Sequence, residues 1–368
     1  MTSLIVPPYN RRFVFASLLI ALLAYLFWTG SRYPALDEKA MMSGAIQLED
    51  SLSFEAMFTI TPDMSFVEQV FWSTLNWINT NKKGMTFGVL FAAAFLTGAG
   101  YLKTRSFRGG FSNSLLGLVI GTPLGVCVNC AAPIARGMYS GGMRAETVLS
   151  AMIASPTLNI VVLTMTFSLL PVYMGLAKVA LSLIVILGVV PLICRMLPRD
   201  QVAPQVSAPD PVAWSAAELG QTGQSEPLWK ALWEVARSYT ANLWFIVKMT
   251  VPLMLLAGFL GALVATLLPA GLITDLPFMF WALIIIALVG LFLPVPIAFD
   301  VVMTGTLLGL GLEQGYVMAL LFTLGTFSIY SFFIIAHTVS LRAASLLSAA
   351  VLGLGILAGI GAQLHARR

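Results

Sequence analysis

Charge is what this sequence has least of: 10% of its 368 residues are Asp, Glu, Lys or Arg, against roughly 25% in an ordinary soluble domain. With 58% hydrophobic residues and a mean hydropathy of +0.90, a water-soluble fold is excluded. Histidine is nearly absent. His337 and His365 sit at or beyond the ends of apolar runs, so neither haem nor a histidine-based zinc centre fits, and no cofactor is expected. Three cysteines are too few for a secreted disulfide framework. Lys103-Thr104 follows Leu102 and not glycine, which excludes a P-loop and ATP hydrolysis by this chain. The excess of 20 bases over 16 acids reports membrane topology rather than nucleic-acid binding.

What is abundant is long apolar sequence. About 20 apolar residues cross the hydrocarbon layer, and the runs here would supply roughly seven to nine crossings. Runs such as Val161 to Leu170 do not alternate, which excludes a β-barrel. The expected fold is therefore an all-α polytopic protein of a bacterial cytoplasmic (inner) membrane. Its main partner is the lipid bilayer, and association with a second copy or an accessory subunit is left open.

Residues 1–30, with Arg11-Arg12 before the apolar run Phe13 to Trp28, read as a retained N-terminal anchor helix. Residues 31–83 form an acidic, extracytoplasmic loop that ends in an interfacial helix, Phe66 to Ile78. A first membrane repeat follows over 84–194. Its span Met85 to Leu102 is closed by Lys103, Arg105 and Arg108, an inside signal. The proline-rich stretch 195–227 reads as a linker. Residues 228–368 form a second repeat, led by the amphipathic segment Leu228 to Tyr239.

Val295-Pro296-Ile297-Ala298 echoes Ala132-Pro133-Ile134-Ala135 at an offset of 163. Glu146 and Glu313 begin corresponding helices. Two Pro/Gly-broken segments at matching places in two halves point to a transporter's central site. Re-entrant breaks give inverted repeats and an outside C-terminus, the arrangement preferred here; full crossings give parallel repeats.

The chemistry-bearing residues cluster at these breaks. Cys127 and Cys130, at i and i+3, carry soft sulfur suited to Cu(I), Zn(II) or trivalent arsenic, with Arg136 and Arg144 as sources of positive potential. Asn129, Ser155, Thr157 and Asn159 bring amide and hydroxyl groups to helices broken by Pro133 and Pro156. Asp300, just after Pro296, has no charged neighbour in sequence, so it should be paired, protonated or facing water. Lys248 is the expected partner, and the two are the candidates for proton coupling. These residues read as a substrate site for a small soft-metal, metalloid or thiol-reactive species, with Cys127 and Cys130 as metal ligands. The competing readings are a membrane thiol oxidoreductase using the cysteine pair, and a permease for a small polar or anionic solute.

Gly121-Thr122-Pro123-Leu124-Gly125-Val126-Cys127-Val128-Asn129-Cys130-Ala131-Ala132-Pro133-Ile134-Ala135, followed by Gly141-Gly142 and Ala154-Ser155-Pro156-Thr157-Leu158-Asn159, resembles the ArsP/YraQ-type predicted permeases. The resemblance covers roughly Thr86 to Cys194 well and the second half weakly. It implies a multi-pass permease, with export of trivalent organoarsenicals the best-known activity. The Cys-Val-Asn-Cys spacing departs from the tighter cysteine arrangement expected there.

Overall fold

Helices α1 (Asn10–Phe27) and α2 (Phe66–Ala99) open a computed structural model that describes residues 10–32, 34, 57–61, 63–101, 107, 109–203, 227–267 and 277–367. Among these residues the protein is all-helical, 84% helix with no strand. Most of the acidic loop, the bases Lys103, Arg105 and Arg108, and residues 204–226 of the proline-rich stretch lie outside the described residues.

A capping box starts α2. The Glu68 N–H donates to Ser65 Oγ (3.4 Å) and the Ser65 N–H donates to Glu68 Oε2 (2.9 Å). The expected break between an interfacial helix ending at Ile78 and a span beginning at Met85 is absent, because α2 continues for 34 residues. The polar stretch between them contains no proline, and Asn, Thr and Lys cost a helix only tenths of a kcal/mol. The same holds for α10 (Leu228–Leu267), one 40-residue helix where an amphipathic segment and a separate span were expected. α2 and α10 pack against each other, and α1 packs on both.

Between them lie α3 (Gly110–Leu124), α4 (Val128–Ser140), α5 (Ala145–Thr157), α6 (Ile160–Leu169), α7 (Val172–Ile184), a π-helical turn (Val185–Val189), α8 (Val190–Arg195) and the short α9 (Arg199–Val202). After α10 come α11 (Phe280–Phe292), α12 (Phe299–Gly309), α13 (Gln314–Thr326), α14 (Ile329–Thr338) and α15 (Leu341–Ala366). The apolar run Ser114 to Ala132 is interrupted at Gly125, whose φ of +57° favours glycine. At 15 residues α3 is about 22 Å long, short of the roughly 30 Å hydrocarbon layer. Among the described residues four helices are long and apolar enough to span, or up to six if α5–α6 and α13–α14, each pair bent by 42°, count as one span apiece. α2, whose apolar part adjoins Lys82 and Lys83, is not among these six; a crossing by α2 would bring the number to seven, the lower end of the roughly seven to nine expected from about 20 residues each.

α3 and α5 run side by side in the same direction. Gly110 adjoins Glu146, Gly117 adjoins Thr147 and Ser150, and Gly121 lies so close to the Ala151 backbone that a methyl group would overlap it. Since α4 ends at Ser140, just before α5 begins, the start of α3 and the end of α4 lie at the same end of the bundle. α11 and α13 behave likewise: the Met279 N–H donates to Tyr316 Oη (2.7 Å), and Gly290 presses on Leu320 and Thr323. Across the molecule α4 packs on α14, and α12 packs on α6.

Pro133 and Pro296, expected at equivalent helix breaks, occupy different settings. Pro133 lies inside α4, while Pro296 lies in the irregular segment 293–298 ahead of α12. Four matching apolar residues were too few to set the register.

Candidate functional site

The interrupted segments of the two halves meet in the interior. They border a small cavity of about 10 Å³, room for roughly one water molecule, lined by Cys127, Val128 and Pro156 from one side of the chain and by Pro296, Ala298, Asp300 and Gly325 among others from the other. Every polar group here is buried in a low-dielectric surrounding, so each needs a partner.

Asp300 finds one, though not the residue expected. It lies in the first turn of α12 and pairs with Lys178 of α7; Lys178 is 0% exposed and Asp300 2%. Lys248 faces outward from α10 and is exposed. A lysine on a lipid-flanking surface extends its ammonium toward the interface at little cost, whereas Lys178 has no such route and is held by its counter-charge. A lone lysine in an apolar run was the available signal, but the 122 residues separating it from Asp300 hid the pairing. Gly325 of α13 provides the space: a Cβ there would overlap Asp300 Oδ2. Gly325→Ala is expected to displace the ion pair and cost about 1–3 kcal/mol, read as a lowered unfolding temperature in detergent.

Asn129 ties the two halves together. Its Nδ2 donates to the Val295 carbonyl (3.1 Å) and its Oδ1 accepts from Ser328 Oγ (3.0 Å) at the start of α14. Ser328 in turn caps α14 by accepting from the Ser331 N–H (3.2 Å). Trp77 Nε1 donates to the Pro294 carbonyl, securing the second break against α2. Lys178, Gly325 and Ser328 were not singled out from sequence, since each acts through a partner far along the chain, and Trp77, expected at the membrane interface beside the helix Phe66 to Ile78, is instead buried.

Cys127 and Cys130 are joined by a disulfide, with Cα atoms 5.1 Å apart, and the Cys130 N–H donates to Cys127 Sγ at the start of α4. Arg136 and Arg144 do not serve the pair as expected. Arg144 binds Glu146 through two bonds (2.8 and 3.1 Å), and Arg136 donates to Thr338 Oγ1 (3.0 Å) and lies over the Phe245 ring. Among the described residues no group of three or more His, Cys, Asp or Glu is arranged to hold a metal ion.

The remaining candidates divide. Ser155 Oγ accepts from the Val126 N–H (3.2 Å), so it braces the first break. Thr157 Oγ1 donates to the Ile153 carbonyl (2.6 Å), and Asn159 caps α6 by accepting from the Val162 N–H (3.1 Å). These two are satisfied within their own segment and do not line the cavity. Pro133 lies within α4, where its missing N–H leaves the Asn129 carbonyl without its helical donor.

Neither a curated protein nor a solved structure matches the chain. Residues 72–363, which contain both breaks, the cavity and the Lys178–Asp300 pair, match the family designated ArsP_1, described as predicted permease. This multi-pass, all-helical chain therefore belongs to the ArsP_1 family of predicted permeases.

Proposed function

We propose that this permease is a secondary transporter of the bacterial cytoplasmic membrane that exports a small soft-metal, metalloid or thiol-reactive species. The observation that carries the reading is the cavity at the junction of the two broken segments, bordered by both Cys127 and Asp300. Irregular backbone at membrane depth is tolerated where it lines a cavity or is buried in protein, and transporter sites form at such breaks.

An inverted repeat is supported by matching elements at a nearly constant offset. The residues capping α5, α6 and α7 (Arg144, Asn159, Pro171) and those capping α13, α14 and α15 (Glu313, Ser328, Ser340) each differ by 169. Gly142 and Gly311, both at positive φ, differ by the same number. Cys127 and Ala298, which precede α4 and α12, differ by 171, since α4 is two residues longer than α12. In this register Asn129 corresponds to Asp300. The shared ends of α3–α4 and of α11–α12 favour re-entrant hairpins, three crossings per half and an inverted second half. A cysteine appended after Arg368 should then react with an impermeant maleimide from outside the cell, and one in 204–226 only after lysis; the opposite pattern would reject the inversion.

The bridged cysteines must be reduced before they can bind a soft cation. Two equivalents of a small thiol, RSH, supply two electrons and two protons, giving the dithiol and RSSR. Backbone oxygen near the breaks would then complete the coordination. Asp300 supplies the coupling: its protonation discharges the partner of Lys178, and one proton crossing about 150 mV provides about 3.5 kcal/mol. Uptake into everted vesicles, with methylarsenite and Cu(I) as probes and a pH gradient imposed, tests the reading. Gradient-dependent uptake of either is expected; uptake of neither by folded, reduced protein would overturn it.

The thiol-oxidoreductase alternative draws support from the bridge itself. Yet Cys127 and Cys130 are 3% and 1% exposed, and the third cysteine, Cys194, cannot form a second dithiol alone. The cysteine of a partner protein has far less access to such a buried pair than a small RSH.

A further inference from the structure

Beside the ion pair, five buried polar side chains lie between α3, α5 and the helix that begins with α7: Ser182, Ser150, Ser114, Thr147 and Asn113, each 0% exposed. Ser182 is one turn beyond Lys178 on the same face of α7. Ser150 Oγ donates to the carbonyl of Ile186 (3.3 Å), one turn further on. Gly117, three residues after Ser114, adjoins Ser150 and Thr147, and Thr147 Oγ1 donates to Asn113 Oδ1 (3.5 Å). Asn113 holds the chain at the entrance, accepting from the Phe107 N–H (2.8 Å) and donating to the Phe107 and Gly109 carbonyls. The series thus steps from Lys178 to the end of the bundle where α3 and α5 begin.

Two of its hydroxyls, Ser114 Oγ and Ser182 Oγ, have no hydrogen-bond partner. An orphaned hydroxyl in a membrane interior is costly, and ordered water is the usual partner when protein supplies none. The other half of the chain gives the contrast. At the offset of 169, the five positions are Ala282, Leu283, Tyr316, Ala319 and Val351, and Lys178 corresponds to Leu347. Four of these counterparts are apolar, and the fifth, Tyr316, commits its hydroxyl to Met279 and Pro277, so packing of the same elements does not require a series of polar side chains here.

We infer that these residues hold a one-sided file of water that carries protons between the Lys178–Asp300 pair and the membrane face bearing Glu146. This rests on the reading of Asp300 as the coupling carboxylate and adds its route and sidedness. The step is a proton transfer only: water donates H⁺ to Asp300 Oδ, the next water refills it, and a proton enters from solvent at the mouth. The charged groups facing the file are Lys178 from α7 and Asp300 from α12 at its inner end, and Glu146 with Arg144 from α5 at its mouth. Cys194, buried near Glu146, is the titratable group on α8 there; Arg195 is exposed, and α3 carries no charge.

Single-cysteine reporters test this in the full chain with Cys194→Ser and the Cys127–Cys130 bridge intact. Ser182→Cys and Ser114→Cys are compared with Val351→Cys and Leu283→Cys. The probe is Ag⁺, a thiol reagent near the size of water, added to sealed vesicles of either orientation; blocked thiol is counted by alkylation after denaturation. Ag⁺ on the Glu146 face is expected to block positions 182 and 114 at least about tenfold faster than 351 and 283, because only the first pair adjoins water. From the other face all four should be slow. Equal rates at 182 and 351, no block at 182 and 114, or equal block at 182 from both faces would each overturn the proposal. Serine and cysteine are close in size, and two file reporters guard against one that misfolds. The assay needs no transported substrate: a chain that passes it but moves neither methylarsenite nor Cu(I) keeps the file and loses the permease reading.

Discussion

Lys178→Met is expected to destabilise the protein by about 3–5 kcal/mol, because it leaves the Asp300 carboxylate buried without its counter-charge. Asp300 is 2% exposed and its cation comes from a single side chain on α7. Asp300→Asn removes the other member and strands the Lys178 ammonium, with a loss of the same order. The double variant Lys178→Met/Asp300→Leu should recover most of the stability, since replacing a buried ion pair by apolar groups is often neutral or stabilising. Thermal unfolding in detergent distinguishes these outcomes; additive losses in the double variant would show that the pair is not coupled. Transport separates from stability here. The stable double variant, like Asp300→Asn at a temperature where it stays folded, should lose gradient-driven uptake entirely. Normal pH-dependent uptake by either would eliminate Asp300 as the proton carrier.

The second large effect concerns sulfur. If the reduced Cys127–Cys130 pair holds a soft cation, each thiolate supplies about half of the soft coordination, and serine, a hard oxygen of similar size, does not replace it. Cys127→Ser and Cys130→Ser are each expected to reduce methylarsenite or Cu(I) uptake at least about tenfold, a loss of about 1.4 kcal/mol or more of binding. Cys194→Ser should leave uptake unchanged, because Cys194 lies on α8 and does not line the cavity. Uptake is compared at equal amounts of folded protein, and with reductant present, since the bridged form offers no thiolate. Full activity in the Cys127→Ser/Cys130→Ser double variant would reject thiolate coordination and turn the substrate toward a small polar or anionic solute.

Membrane residence, the all-helical class and the existence of two broken segments were legible in the sequence, because each follows from composition and local backbone chemistry. Apolar runs of span length leave helices as the way to satisfy the backbone. Pro156, Gly125 and the prolines of 293–298 mark interruptions wherever they occur. The carboxylate of Asp300 had to have a partner, since an unpaired one at that depth is too costly.

Tertiary structure alone decided which partner. Lys248 and Lys178 are both lone lysines in apolar runs, and nothing local distinguishes them; the packing of α7 against α13, with Asp300 of α12 in reach, turns one inward, while the other stays on the outer face. The structure also places Pro133 inside α4 and Pro296 in the irregular segment ahead of α12, so the repeat proposed above takes its register from the helix caps, at an offset of 169, and not from the two prolines. Helix continuity through 79–84, which the absence of proline allows, is held by packing, with Trp77 buried just before the stretch and Asn81 within it. Composition and periodicity report what a segment must do with its own backbone and with lipid. Which buried polar groups meet depends on contacts between residues more than a hundred positions apart, and those are set only when the helices pack.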